Sequence, residues 1–424
     1  MLTTRRRQLF LLLVGCCALA LMLDVRPTPA QGSGPKATVV YGQPDFAGND
    51  ANQDGQVTAT TMFFPLGIVI DSSGGIFVAD RNNNRVLHFP KDKTTPDRVY
   101  GQFSNFTTNV KNNDGTGKSG APSADNLNNP TALALDGKGG LYVADRDNHR
   151  ILHFANDGRM TADRVYGQFG NFTTNLVNND GEGHSGEPSA ENIGTFTLGL
   201  IVDKDNGLYV SDSLNNRVLY FASDSGTKAV RVYGQFGKFN TGIKNNDGQG
   251  KTGLPTANGL NFPRGLALDS KGGLFVTDRD NQRILHFPKD LTTPDRVYGQ
   301  FGKFTDGVAN NNGNGNTGSG AASAENLFNP RYIAVDSSDG LYVADANNNR
   351  ALYFANDGDT KADRVYGQFG SFTVNVLNND GKGAPRLPSA DNLAGPQGIA
   401  VGPDGRVYIS DSGNNRVLMY EKTG

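Results

Sequence analysis

The 424-residue chain has no tryptophan, two cysteines and only five glutamates. Both cysteines, Cys16 and Cys17, fall within the first 30 residues. The body that follows therefore has no disulfide, no thiol nucleophile and no cysteine-based metal site. Surplus charge of either sign is missing too, because 40 Lys+Arg against 42 Asp+Glu leave a net charge of −2. That balance argues against nucleic acid, which requires a concentrated basic face. Abundant instead are 55 glycines and 45 asparagines, with many Val, Tyr and Phe. Gly, Asn and Asp favour turns, and β-branched and aromatic residues favour strands. The composition predicts an all-β protein of many short strands.

The one long apolar run lies at the start. Arg5, Arg6 and Arg7 precede an apolar stretch over residues 9–23, followed by Asp24 and Thr28-Pro29-Ala30. A basic stretch, an apolar stretch and a small residue before Gln31 predict a secretory signal peptide over residues 1–30. The run is short for a membrane span, which needs about 20 residues. Two alternatives are an uncleaved anchor and a lipid anchor on Cys16, which follows Leu13-Val14-Gly15 as in a lipoprotein box. Removal of residues 1–30 takes four Arg and one Asp, so 36 positive and 41 negative charges leave −5. The expectation is a secreted or cell-surface body over 31–424, with no transmembrane span in the mature chain and monomeric.

Self-comparison reveals six copies of one unit. An Asp-x-x-Asn-x-Arg-like turn recurs at 80–85, 145–150, 212–217, 278–283, 345–350 and 411–416. Successive arginines stand 65, 67, 66, 67 and 66 residues apart. Each copy reads as three short strands divided by Gly/Asp/Asn turns. A fourth strand, Arg-Val-Tyr-Gly-Gln, follows five of them, at Arg98, Arg164, Arg231, Arg296 and Arg364. The missing sixth lies at the other end of the chain, within Thr38-Val39-Val40-Tyr41-Gly42-Gln43. A strand at about 37–43 is therefore expected to complete the last blade and seal a six-bladed β-propeller of four-stranded blades. Copies 1 and 4, 2 and 5, and 3 and 6 share local signatures at offsets of about 199 residues, which indicates a duplicated three-blade half.

Segments such as Pro396-Gln397-Gly398-Ile399-Ala400-Val401, Asp404-Gly405, Val407-Tyr408-Ile409-Ser410-Asp411 and Asn414-Asn415-Arg416-Val417 resemble the NHL repeat. The resemblance implies a propeller over roughly residues 36–420. Proteins of that family include RNA binders, protein-interaction modules, a peptidyl-hydroxyglycine lyase and many exported bacterial propellers, so it implies fold far more than function.

A catalytic group is needed once, so the six-fold Asp, Asn, Arg and Tyr-Gly-Gln positions read as structural. The position after each strand-entry proline, or its equivalent, varies most: Leu66, Thr131, Leu198, Arg264, Arg331 and Gln397. At a channel mouth, Arg264, Arg331, Gln397 and Thr131 could hold a carboxylate or a sugar. Asp125, Glu191, Glu325 and Asp391 recur in Ser-Ala-Asp/Glu-Asn segments entering four of the blades. If they meet at the mouth, their oxygens suit Ca²⁺. Asp50, Asn52 and Asp54 match the start of a calcium loop, although Thr61 stands where a bidentate Glu is wanted. His88, His153 and His286 share a position that is Tyr or Met in other copies, so they read as a strand face rather than metal ligands.

About 27 residues separate Gln102 from Pro130, and every copy has a similar long connection. Loops this long are commonly functional, and all six should crowd one face. The expected role is a binding or scaffold module for a protein, peptide or glycan on that face, with Ca²⁺ as a stabilising ion. The alternative is a metal-dependent hydrolase, lactonase or lyase working in the central channel.

Overall fold

The computed structural model describes residues 34–315 and 320–422. The expected signal peptide, Cys16 included, lies outside the described residues. Unit Gln31–Gly424 is a ring of six four-stranded antiparallel sheets. In the first blade the strands run from the channel outward as Pro65–Ile70, Ile76–Asp80, Arg85–Phe89 and Arg98–Tyr100. Strand Ala37–Tyr41 pairs with Arg416–Tyr420, with Val40 opposite Leu418 and Tyr41 opposite Val417. The N-terminal strand thus completes the sixth blade and removes a sheet edge, as the sequence predicts. Among the described residues no helix is long and apolar enough to cross a membrane.

The six-fold residues account for the frame. Asp80 Oδ2 accepts from Arg85 Nε and Asn83 Nδ2, both at 2.8 Å, and Asp80 Oδ1 accepts the Phe63 amide at 2.8 Å. Arg85 also donates to the carbonyls of Phe106, Thr58 and Thr61. Asp80 and Arg85 are fully buried, as are their five equivalents. Burial pushes the Asp80 carboxyl upward, and the Arg85 charge pulls it back. Every donor finds a partner, which makes burial of the pair tolerable.

The same turns anchor the long connections. Asn112 and Asn148 exchange carboxamide hydrogen bonds at 3.1 and 2.7 Å, and Asn148 also donates to Asp145. The first Asn of each Asn-Asn-Asp-Gly segment is left-handed, with φ between 46° and 48°. Asparagine tolerates that region better than other side-chain-bearing residues. Gln102 Nε2 donates to the carbonyls of Asn84 and Val110, while its Oε1 accepts from Asn113. The Tyr of each Tyr-Gly-Gln cements neighbouring blades: Tyr100 meets Phe154 edge-on with centroids 5.1 Å apart, and Tyr41 meets Phe89 likewise at 5.3 Å. Such pairs add about 0.5–1.5 kcal/mol each beyond their burial.

Copies 3 and 6 carry Ser-Asp-Ser because they sit at the two joints between halves. Ser211 Oγ donates to the Arg264 carbonyl and Ser410 Oγ to the Leu66 carbonyl, both at 2.6 Å. There the backbones close so tightly that a Cβ on Gly199 would lie 1.9 Å from the Arg264 oxygen.

Candidate functional site

The channel mouth on the long-loop side is built from two positions per blade. One is the residue after the strand-entry position. The other follows the turn aspartate, where blades 1, 2 and 4 carry Arg81, Arg146 and Arg279. These arginines join Thr131, Arg264, Arg331 and Gln397 around one cavity of about 360 Å³. Leu66, Leu198, Phe64, Phe196 and Phe262 supply its apolar wall.

Five guanidinium groups therefore share one small cavity, and their compensation is incomplete. Arg264 is only 4% exposed. The buried Nε atoms of Arg81, Arg146, Arg264 and Arg331 meet no hydrogen-bond acceptor. Asp147 lies 3.4 Å from Arg146 and Asp280 3.4 Å from Arg279. Arg279 is further held by Asn329 at 2.5 Å. Burial pushes Arg331 down to about 10, with the charge of Arg81 adding to the effect. Burial also lowers Arg81 and Arg146. Ring faces partly replace water: Arg146 lies 4.0 Å from the Phe196 centroid and Arg279 4.8 Å from that of Phe262. An anion entering this cavity would find preoriented donors in a positive site.

Tyr332 lies under Arg264, its ring centroid 5.7 Å from the guanidinium carbon. At its position on the innermost strand, the other five blades carry Gly67, Ala132, Gly199, Gly265 and Gly398. Those small residues leave room for one ring, which reaches across the channel so that its hydroxyl donates to the Thr131 carbonyl at 3.1 Å. Thr131 Oγ1 in turn donates to the Thr197 carbonyl at 2.7 Å. Beneath the ring is a second chamber of about 310 Å³, lined by aliphatic side chains of all six innermost strands.

Thus Thr131, Arg264, Arg331 and Gln397, singled out from the sequence, do share one cavity. Asp125, Glu191, Glu325 and Asp391 do not line it. The Ala124 carbonyl accepts the Ala162 amide at 2.9 Å, which ties the Asp125 segment beside the outermost strand of its own blade. Ala190, Ala324 and Ala390 are tied the same way, so the four acids stand one per blade, apart from one another. Asp125 accepts from Thr161, and Asp391 pairs with Lys36 at 3.3 Å. In the first connection, Asn52 exchanges hydrogen bonds with Asn83 at 2.9 and 2.7 Å. Its carboxamide does the anchoring that Asn112 does elsewhere, while Asp50 and Asp54 face solvent.

His88, His153 and His286 each sit between two aspartates, as where His88 Nδ1 is 2.5 Å from Asp97 and Nε2 2.9 Å from Asp71. Among the described residues the grouping with metal-ligand geometry is Asp180, Glu182 and His184, all exposed on one loop. Arg81, Arg146, Arg279 and Tyr332 escaped the sequence reading. The signal was present: the residue after the turn aspartate reads Arg, Arg, Ser, Arg, Ala, Ser, and only one of six Gly/Ala positions holds a Tyr.

Fold and site geometry define a six-bladed β-propeller with an arginine-lined channel mouth. The family model described as NHL repeat matches residues 64–89, 127–154, 260–287 and 393–420. The chain thus carries four NHL repeats within a six-bladed β-propeller. No curated protein matches the sequence. A streptogramin B lyase structure is similar at 15% identity and TM-score 0.47, covering 85% of this chain and 94% of that one. A virginiamycin B lyase from Staphylococcus aureus is similar at 13% identity and TM-score 0.44, covering 88% and 98%. A gluconolactonase from Xanthomonas campestris is similar at 14% identity and TM-score 0.46, covering 94% and 99%.

Proposed function

We propose that the chain is an exported binding module, secreted or held at the cell surface, whose long-loop face takes an anionic ligand at the channel mouth. One observation carries this reading: the buried Nε atoms of Arg81, Arg264 and Arg331, without acceptors, and of Arg146, with only Asp147 at 3.4 Å, belong to arginines that line a single cavity. Folding has gathered like charges there at a cost, and an anion would offset that cost. The anion would be a carboxylate of a peptide or an acidic glycan. Calcium, if bound, would belong to the exposed loops and not to the channel mouth. The exchange of hydrogen bonds between Asn52 and Asn83 places a structural role ahead of metal ligation for that residue.

The test is thermal unfolding and calorimetry of the protein with citrate, galacturonate oligomers and an acidic peptide, at low and high salt. A ligand at 100 times its Kd should stabilise by about 2.7 kcal/mol. Affinity should fall with salt and be lost on Arg264→Gln. No stabilisation by any anion would overturn the proposal, and turnover of a bound anion would replace it with a catalytic role.

A further inference from the structure

The arginines are distributed unevenly with respect to the duplicated halves, and the unevenness is complementary. Blades 1 and 2 place Arg81 and Arg146 after the turn aspartate, with Leu66 and Thr131 on their innermost strands. Blades 4 and 5, diametrically opposite in a six-membered ring, do the reverse on the strand, with Arg264 and Arg331. Blade 5 has Ala346 at the turn position, and the Arg279 of blade 4 is engaged by Asn329 and Asp280. Two arginine pairs thus face each other across the channel, built from different positions of the repeat. The Nε atoms of Arg81, Arg264 and Arg331 have no acceptor, and that of Arg146 faces Asp147 at 3.4 Å without forming a hydrogen bond. Between them lies the buried Tyr332 ring, 5.7 Å from the Arg264 guanidinium carbon.

We infer that the ligand carries two separate anionic groups. One is held by Arg81 and Arg146 and the other by Arg264 and Arg331, with the linking body over Tyr332 and against Leu66 and Leu198. This rests on the anion-binding reading above and specifies its ligand. The cavity of about 360 Å³ lies in the range of small-molecule pockets, which suits a dicarboxylate of medium length. Two charges on one molecule make the second contact intramolecular, which raises affinity well above that of either end.

Calorimetry on the unaltered protein tests this with the dicarboxylates from glutarate to sebacate and the matching monocarboxylates. Affinity should peak at one chain length, at least about tenfold above the monocarboxylate of equal length. The double variants Arg81→Gln/Arg146→Gln and Arg264→Gln/Arg331→Gln should each bring the best dicarboxylate down to the monocarboxylate level. Melting curves show that each variant is folded. If monocarboxylates bind as well as every dicarboxylate, the two-sided clamp is wrong while the anion site stands. If neither kind binds, the anion site itself is wrong.

Discussion

Tyr332 of the fifth blade and Thr131 of the second, opposite each other in the ring, are joined by a hydrogen bond of 3.1 Å across the channel. This bond separates a charged cavity from an aliphatic one. Tyr332→Phe keeps the ring and leaves the Thr131 carbonyl without its donor. The expected cost is about 1–3 kcal/mol in denaturant unfolding, with anion affinity changed less than about threefold. An unchanged midpoint would mean that the bond contributes nothing.

Arg331 is held down to about 10, well below the ordinary guanidinium range, by burial and by Arg81. A cation whose folded value is lowered is a penalty at every pH below that value, relieved as pH rises from about 10 toward the ordinary guanidinium value. At neutral pH the penalty is fully present. Arg331→Met should therefore raise the Tm of the ligand-free protein while abolishing its response to dicarboxylates. A fall in Tm would indicate that Arg331 is a structural residue.

Asp145 and Arg150 are both fully buried and 2.8 Å apart. Arg150→Met strands a carboxylate in the core and should cost about 3–5 kcal/mol. Adding Asp145→Leu removes that charge and should recover part of the loss in chemical unfolding. The Phe63-type amide partner in this blade, Asn128, would then lack its acceptor, so recovery should be incomplete.

Gly199 and Gly398 sit at the two joints between halves, where a Cβ would lie 1.9 and 2.0 Å from a carbonyl oxygen of the next blade. Neither glycine has a positive φ, so the obstacle is contact alone. Alanine at either position should lower the Tm by several degrees, in line with about 1–3 kcal/mol for overpacking. Alanine at both should lower it by the sum, because the joints lie on opposite sides of the ring.

The long connections should respond to acid. Asp247 accepts the amides of Lys251 at 3.0 Å and Gln249 at 2.8 Å, which hold its carboxyl below the ordinary 3.8. A lowered carboxylate stabilises the loop above the ordinary value, and that contribution is lost as pH falls through the lower, folded value. The amide shifts of Lys251 and Gln249 should thus hold steady at pH 5 and move only below 3.8. Movement beginning above that value would contradict the geometry.

Architecture was legible because it is written six times. Even the closing strand showed, as a Tyr-Gly-Gln segment displaced to the other end of the chain. The site was half legible. Arg264 and Arg331 stood out because their position varies among copies, but Arg81 and Arg146 hid inside a turn whose Asp and Arg recur in all six copies. The acids misled for a related reason. A segment that enters a channel-lining strand looks as if it lies at the channel, yet Ala124 and its equivalents bind the far edge of the blade first. Sequence order places residues along a path, and here that path runs round the outside before turning in.

The pairing of Ala37–Tyr41 with Arg416–Tyr420 has a consequence in time. The strand made first finds its partner last, across a separation of 381 positions between Thr38 and Met419. Blades 1 to 5 can each condense from neighbouring sequence within milliseconds to seconds, whereas sealing must wait for the whole chain. Until then two edges stay open, each able to recruit a foreign strand. The slowest event in the folding of this ring should be its last.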